Sequence, residues 1–388
     1  MATTLRWGIL ATGWISNKFA LDLLVDPKTR DVTDVKHKIV AVGSRSKESA
    51  AKFVERTWEE AGVTEGKEDV KMHASYEELV QDPNVDVVYI GSPHSHHYPH
   101  AVLALNAGKH VLCEKAFTVN APQAEALVKL ARDKNVFLME AQWIRFTPYA
   151  YKIQELLASG IIGEVRGLTS ELCVDFTNFV AADPGHRLYN PDLAGGALLD
   201  LGLYSFANSV IALRPDSKAS PDPIPLPKIH AAVLKTPSGV DQSTVAVFEY
   251  PTPSGRTVHA TVICAQDRQT RGPCVRVQGS KGYVEVQAPA YRPKSLTYFA
   301  WETEEDCQNW DKEATKTETF DFQERPGGIW GFAWEADEVA RCIRDGKKES
   351  DRMPLNESLH TMQVFDEIRR QGDFRYPEAI ETLELPSA

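Results

Sequence analysis

Leu5-Arg-Trp-Gly-Ile-Leu-Ala-Thr-Gly-Trp-Ile-Ser16 opens the chain with a short apolar run that stops at three small residues, Ala11, Thr12 and Gly13. Ile15, Phe19 and Leu23 then recur every four residues, the spacing of one helical face. Strand, tight small-residue turn and helix form the opening unit of a dinucleotide-binding fold, in which backbone N–H groups and the helix N-terminus face a pyrophosphate. The match to G-x-G-x-x-G is partial. Ala11 and Ser16 stand at the outer glycine positions and Gly13 keeps the middle one, where a side chain would meet the phosphates.

Working outward, the first part of the chain alternates strand and helix patterns. Strands are predicted at 37–43, 85–91, 109–114 and 135–141, with helices at 47–58, 99–107 and 121–134. Nearly continuous apolar strands separated by helices call for a parallel sheet covered on both faces. Beyond Arg145 the texture changes. A helix over 148–158 gives way to 167–173 and then to alternating runs at 229–236, 243–250, 257–265, 274–278, 283–287 and 296–301. These read as a mostly antiparallel sheet, with Gly-Ser-Lys-Gly at 279–282 as a hairpin turn. The proline-rich 214–227 reads as a loop, and charged 302–319 as a solvated excursion. The expected division is a Rossmann dinucleotide-binding domain over 1–145 and an α+β domain over 146–388 for substrate binding and dimerisation. Helices at 148–158, 195–213 and 331–344 suffice for one sheet face, so the other is expected to be a large apolar surface that a second copy covers.

At 388 residues the chain can bury two substantial cores. A formal net charge of -11 argues against nucleic acid or an anionic membrane as partner. No apolar run approaches the ~20 residues that span a bilayer, and the early first strand leaves no room for a leader. The six cysteines never fall in C-x-x-C spacing, which suits reduced thiols in a cytoplasmic protein.

Four further stretches carry chemistry. Ser44-Arg45 follows the second strand, where an NAD enzyme usually has an acid for the ribose 2′-hydroxyl. A hydroxyl and a guanidinium suit a 2′-phosphate, so NADP is the expected cofactor. Gly91-Ser-Pro-His-Ser-His-His-Tyr-Pro-His100 tempts a zinc reading, but no Cys or acid stands at ligand spacing and no metal is expected. Instead Ser92, Pro93 and His94 form the loop beside the cofactor, and His97 starts the next helix. Glu114-Lys115 ends a strand at the carboxyl edge of the sheet, so Lys115 points into the crevice where ligands bind. In Gly195-Gly-Ala-Leu-Leu-Asp200-Leu-Gly-Leu-Tyr204, Asp200 and Tyr204 share a helical face. An Asp in so apolar a helix is expected to face a cleft, and the two glycines let a backbone or ligand come close.

Together the nucleotide turn, Glu114-Lys115, the run to Tyr204 and Gly-Ser-Lys-Gly resemble the Gfo/Idh/MocA oxidoreductases along essentially the whole chain. Met139-Glu-Ala-Gln-Trp-Ile-Arg-Phe-Thr-Pro148 is similar to the branch of dimeric dihydrodiol dehydrogenases and fungal NADP-dependent D-xylose 1-dehydrogenases. Ala116 departs from the family's usual proline after Glu-Lys, and Ala11 from a glycine. The resemblance implies oxidation of an aldose C1 hydroxyl to the lactone, with D-xylose foremost and a trans-dihydrodiol or an inositol as the alternatives. A non-catalytic dinucleotide-binding regulator is less in keeping with Lys115, Asp200 and Tyr204 all being present.

The resemblance also implies roles. Tyr204 is the base, its phenol pKa lowered by Lys115, and Asp200 holds Lys115 or a sugar hydroxyl. Ala11, Thr12, Gly13, Trp14 and Ile15 line the cofactor at the turn, Ser44 and Arg45 at the ribose. Glu114, Lys115 and Trp143 join Ser92, Pro93, His94 and His97 along it. Trp143 stacks on the sugar, Arg145 binds its hydroxyls, and Phe176 and Tyr291 are looser candidates beside Asp200 and Tyr204. A homodimer through the C-terminal sheet completes the expectation.

Overall fold

Residues 5–16 fold as read, with β1 (Thr3–Leu10) running into α1 (Trp14–Leu24). The computed structural model describes residues 2–183, 185–214, 218–220, 222–251 and 255–385. The first layer continues with β2 (Val35–Gly43), α2 (Lys47–Ala61), β3 (Lys71–His73), α3 (Tyr76–Val80), β4 (Val87–Ile90), α4 (His97–Asn106), β5 (His110–Glu114), α5 (Ala121–Lys134) and β6 (Leu138–Ala141). Its six strands are all parallel, in the order β3-β2-β1-β4-β5-β6. Strand order reverses between β1 and β4, and a ligand crevice forms at such a point. The sequence pattern missed β3, whose three residues are too few to show a period.

The second layer contains α6 (Pro148–Ala158), β7 (Val165–Cys173), α7 (Thr177–Ala182), α8 (Leu203–Leu213), β8 (Lys228–Lys235), β9 (Asp241–Pro251), β10 (Thr257–Ala265), β11 (Pro273–Gly279), β12 (Gly282–Gln287), β13 (Ser295–Ala300), α9 (Glu304–Gln308) and β14 (Lys316–Asp321). Then come α10 (Phe332–Arg344), α11 (Leu355–Gln371) and α12 (Glu378–Glu381). Its eight-stranded sheet runs β14-β13-β12-β11-β7-β10-β9-β8, antiparallel except where β7 and β10 pair in parallel. The stretch read as a solvated excursion therefore carries an edge strand, β14, whose side chains are mostly exposed and so lack an alternating pattern. Pro191–Leu213 is long and apolar enough to cross a bilayer, but 94% of its most apolar window is buried inside the protein, as in a core helix.

The two faces of this sheet differ row by row. Ala246, Val262, Ser170, Val275, Val286 and Leu296 lie side by side and are all buried, beneath α6, α8 and α11. One residue over, the row His230, Val247, Thr261, Thr169, Arg276, Glu285, Thr297 and Thr319 contains no buried residue. A one-residue step moves a side chain to the opposite face. The open face is thus mixed and polar, not the large apolar surface that the helix count alone implied.

Candidate active site

The N-terminus of α1 is left bare. Gly13 is its N-cap with no side-chain bond, and no acid stands in the first turn. Nearby helices are capped instead, α2 by Ser46, α3 by Ser75 and α5 by Asn120. Unpaired N–H groups and the positive end of the helix dipole therefore face the crevice. A Cβ on Gly13 would meet only the Gly91 carbonyl, at 3.8 Å, so the space before it is open. Gly91 shows how Ser16 is tolerated at the outer glycine position, because any Cβ on Gly91 would collide with the Ser16 hydroxyl. Ala11 sits at φ 74°, the left-handed region a glycine prefers, at a cost of about 1 kcal/mol. These residues fit a dinucleotide pyrophosphate.

At the next loop Ser44 is buried and its hydroxyl lies 3.2 Å from that of Thr12, while Arg45 is exposed. Among the described residues no hydrogen bond or ion pair joins Arg45 to a carboxylate, so its guanidinium is available to a phosphate.

Lys115, at the end of β5, donates to the Asp200 backbone carbonyl at 2.9 Å and to Asp200 Oδ1 at 3.2 Å. Its Nζ also lies 4.9 Å from the centre of the Tyr204 ring. Trp143 Nε1 donates to the Tyr204 hydroxyl at 2.9 Å. Arg187, which the sequence reading did not single out, adds a second cation at 3.3 Å from Asp200 Oδ1. Gly195 explains its position: a Cβ there would lie 2.5 Å from the Arg187 carbonyl, so the close neighbour is another backbone and not a ligand. Burial works to raise the Asp200 carboxyl, but the Arg187 and Lys115 charges outweigh it and hold it well below the carboxylate range.

These groups open on a cavity of about 570 Å³. Trp14, Ile15, Pro93 and His94 line it from the first domain, with Lys115 and Glu114 at the end of β5. Phe176, Tyr291, Asp200 and Tyr204 face it from the second. Phe179, His186, Trp330 and Phe332 do so too, without a sequence signal that marked them. Glu114 spends its oxygens locally, accepting from the Tyr89 hydroxyl at 2.6 Å and the Lys115 N–H at 3.2 Å, and burial pushes its carboxyl up to about 7.

The two histidines expected beside the cofactor tie loops together. His97 is buried with its ring nitrogens 2.8 Å from the Ala116 and Ser92 carbonyls, bridging the ends of β4 and β5. His94 Nδ1 donates to the Ala194 carbonyl at 3.1 Å. Burial pulls His97 down to about 4, against the two carbonyls that its ring nitrogens meet, and His94 to about 3.

Three expected roles are corrected. Arg145 does not reach the cavity; it is buried and its Nε donates to the Arg352 carbonyl at 2.9 Å. Trp143 lines the cavity, but it is only 1% exposed and packed against Phe332 at 5.0 Å between ring centres, which leaves little of its face for a sugar. Tyr204 is pushed well above its ordinary pKa, by burial first and then by the Glu114 charge. Lys115 lies over its ring rather than at its hydroxyl, with its charge shared with Asp200, so the expected lowering is absent.

Comparison with known proteins agrees with this layout. Residues 5–142 match an oxidoreductase family with an NAD-binding Rossmann fold, and residues 151–285 match the GFO/IDH/MocA C-terminal domain. The chain is 42% identical to D-xylose 1-dehydrogenase (NADP(+)) of Hypocrea jecorina, over 98% of this chain and 95% of that one. It is 32% identical to trans-1,2-dihydrobenzene-1,2-diol dehydrogenase of Bos taurus, over 96% and 98%. Among solved structures, a levoglucosan dehydrogenase superposes with a TM-score of 0.74 at 17% identity, covering 96% of this chain and 98% of the other. A 3-ketoreductase from Actinomadura kijaniata gives 0.72 at 22% identity, covering 95% and 98%; at these identities the likeness concerns the fold.

Proposed function

The chain belongs to the Gfo/Idh/MocA oxidoreductase family, and from that premise we propose that it is an NADP-dependent dehydrogenase that oxidises the C1 hydroxyl of an aldose, D-xylose foremost, to the lactone. The observation that carries this reading is the convergence of Lys115, Asp200 and Tyr204 on one cavity that also reaches the bare N-terminus of α1. The identity to the D-xylose enzyme supports the choice of substrate and cofactor. Residues 1–145 hold the cofactor, and residues 146–388 supply the substrate site and a homodimer interface on the open sheet face.

Ala11–Ile15 hold the pyrophosphate and Ser44 and Arg45 the 2′-phosphate. When bound, NADP supplies the hydride acceptor. The chain's own groups handle the proton. In the direction of lactone reduction the Tyr204 phenol is already the proton donor to the carbonyl oxygen. In oxidation the phenolate must accept the C1 hydroxyl proton, and its fraction rises tenfold per pH unit below its raised pKa. Lys115 donates to the same reacting oxygen and stabilises the negative charge that develops on it. Asp200, held ionised by two cations, fixes the Lys115 ammonium in place. The six cysteines, all free thiols, support a cytoplasmic setting.

A second reading takes a trans-dihydrodiol as substrate. The aromatic wall of Phe176, Phe179, Tyr291 and Trp330 favours it, since such a wall suits a flat unsaturated ring. NADPH formation followed by absorbance against aldoses, inositols and trans-dihydrodiols tests both. Turnover of a dihydrodiol with none of any aldose would overturn the first reading.

A further inference from the structure

His96 and His100 belong to the histidine-rich stretch after β4, and the reading above leaves them without a task. Strands β3, β2, β1 and β4 are neighbours in that order, so the loops that follow them open along one edge of the sheet. Arg45 follows β2, Tyr76 follows β3 and His96 follows β4. His100 joins two of these loops. Its Nδ1 lies 2.9 Å from the Ser92 hydroxyl, its ring stands edge-on to Tyr76 at 4.7 Å, and the His96 ring lies 5.6 Å away. Arg45 follows β2, the strand between β3 and β1, so it stands on the same sheet edge as Tyr76 and His96, and its charge acts on both.

The exposed members of this cluster are both basic. Arg45 and His96 are exposed, and among the described residues no carboxylate bonds to either one. His96 Nδ1 lies 2.9 Å from the Ser95 hydroxyl, which leaves Nε2 with no bond to protein among the described residues. The charges that act on His96 are those of Arg45, His97 and His100, whose ring meets Tyr76; the turns packed against its own carry Asp192, Glu378 and Glu381, and among the described residues none of these acids bonds to His96 or Arg45. Two basic groups with no bonded carboxylate are free to meet an anion together. Ser44, immediately before Arg45 and paired with Thr12 of the nucleotide turn, fixes which part of a dinucleotide reaches them.

We propose that His96 is a second specificity residue for the 2′-phosphate of NADP, closing on it from the β4 loop opposite Arg45 and becoming an imidazolium as the phosphate binds. This rests on the NADP reading above. Burial first and the Arg45 charge second hold the His96 imidazole below its ordinary value; a phosphate dianion placed beside it opposes both, so proton uptake accompanies binding. A charge-assisted hydrogen bond forms that a neutral ring cannot match. NAD lacks the 2′-phosphate and should be indifferent to His96. Preference for NADP over NAD should then grow as pH falls from about 8.5 to about 6.5, because the free ring, held below its ordinary ~6.5, stays neutral over that range and only the ring beside a bound phosphate takes up a proton in it.

The test is binding of NADP, NAD and 2′,5′-ADP to the full chain and to His96→Gln, read by tryptophan fluorescence. Calorimetry in two buffers of different ionisation enthalpy measures proton uptake. An exposed His→Gln change keeps the fold. The expected result is NADP and 2′,5′-ADP binding weakened about tenfold at pH 6.5 and little at pH 8.5, NAD binding unchanged, and proton uptake lost. If the unmodified protein prefers NADP and His96→Gln retains both the affinity and the proton uptake, the role given to His96 is wrong while the cofactor reading stands. If the unmodified protein binds NADP no better than NAD, the cofactor reading fails and the role of His96 with it.

Discussion

Replacing Tyr204 by Phe removes one oxygen, and the structure gives that oxygen two separable consequences. The first is structural. The hydroxyl accepts from Trp143 Nε1 at 2.9 Å, and the indole is 1% exposed, so the variant leaves a buried N–H with no partner. Such a loss costs about 1–3 kcal/mol of stability. The second is chemical. Loss of a positioned acid–base group lowers turnover by ~10² or more, about 2.7 kcal/mol of barrier. Trp143→Phe cuts the same hydrogen bond from the other side but leaves the phenol in place. Urea unfolding should therefore show both variants destabilised, Trp143→Phe the more because it also empties buried volume. NADPH formation with the best aldose should fall ~10²-fold for Tyr204→Phe and within about tenfold for Trp143→Phe. NADP affinity should change little for Tyr204→Phe, whose hydroxyl faces the substrate. Near-normal turnover by Tyr204→Phe would refute the assignment and turn attention to Lys115. Equal loss of turnover in both variants would show that Tyr204 acts only through packing.

Lys115→Met should also lower turnover by ~10² or more, and the double variant with Tyr204→Phe should lose less than the sum, since both serve one proton transfer; steady-state kinetics decides. Because burial raises the Tyr204 phenol, the rate of aldose oxidation should climb through the alkaline range and that of lactone reduction should not, a contrast read from paired pH profiles. Arg45→Asp should erase or reverse the preference for NADP over NAD, measured as the ratio of kcat/KM. Glu140 is pushed by burial to about 7 from an ordinary 4.5, so the folded state holds its proton more tightly and the parent loses stability as pH rises between those values. Glu140→Gln lacks that loss, and its stability relative to the parent should grow by up to about 3 kcal/mol from pH 5 to pH 8, read from urea unfolding at each pH. Sedimentation at micromolar concentration should give a dimer; a monomer would remove the role proposed for the open sheet face.

What the sequence disclosed and what it hid separate along a physical line. Features with a period or a local backbone rule were legible. Parallel strands announce themselves as continuous apolar runs, and the turn at 11–13 as small residues between a strand and a helix. Lys115 was legible because a strand end at the carboxyl edge has one place to point. Direction at an irregular turn has no such rule. Trp143 and Arg145 lie two apart on the turn after β6 and both carry a polar tip. Nothing local says that the first turns to Tyr204 and the second to the carbonyl of Arg352, 207 residues away. Arg187 was hidden for the same reason. It sits in an irregular stretch, and its partner Asp200 is reached only because Gly195 lets the two backbones touch. The tyrosine's pKa failed differently. A nearby lysine lowers a phenol only if its charge faces the oxygen, and here it faces the ring while burial acts on the whole group.

One contact joins the two halves of the site in a way that no motif announces. Asp22, in the last turn of the nucleotide helix α1, accepts the backbone N–H groups of Trp330, Gly331, Phe332 and Ala333 at 2.6, 2.8, 2.7 and 3.2 Å. Those residues begin α10, and Trp330 and Phe332 line the substrate cavity. The carboxylate thus does for α10 what a Ser or Asn cap does for α2, α3 and α5, but from α1, more than 300 residues earlier in the chain, and α10 packs on α1, β1 and β2. At the other end of α1, Trp14 meets Trp330 edge-on at 5.8 Å between ring centres. The helix whose N-terminus faces the pyrophosphate is therefore fixed at two points to the wall that faces the substrate. A displacement of α1 on cofactor binding must carry Trp330 and Phe332 with it, because four hydrogen bonds to one buried carboxylate break only together and at the cost of an uncompensated charge. The cavity wall is then set by the cofactor domain, which ties the shape of the substrate site to the position of the helix that binds the cofactor.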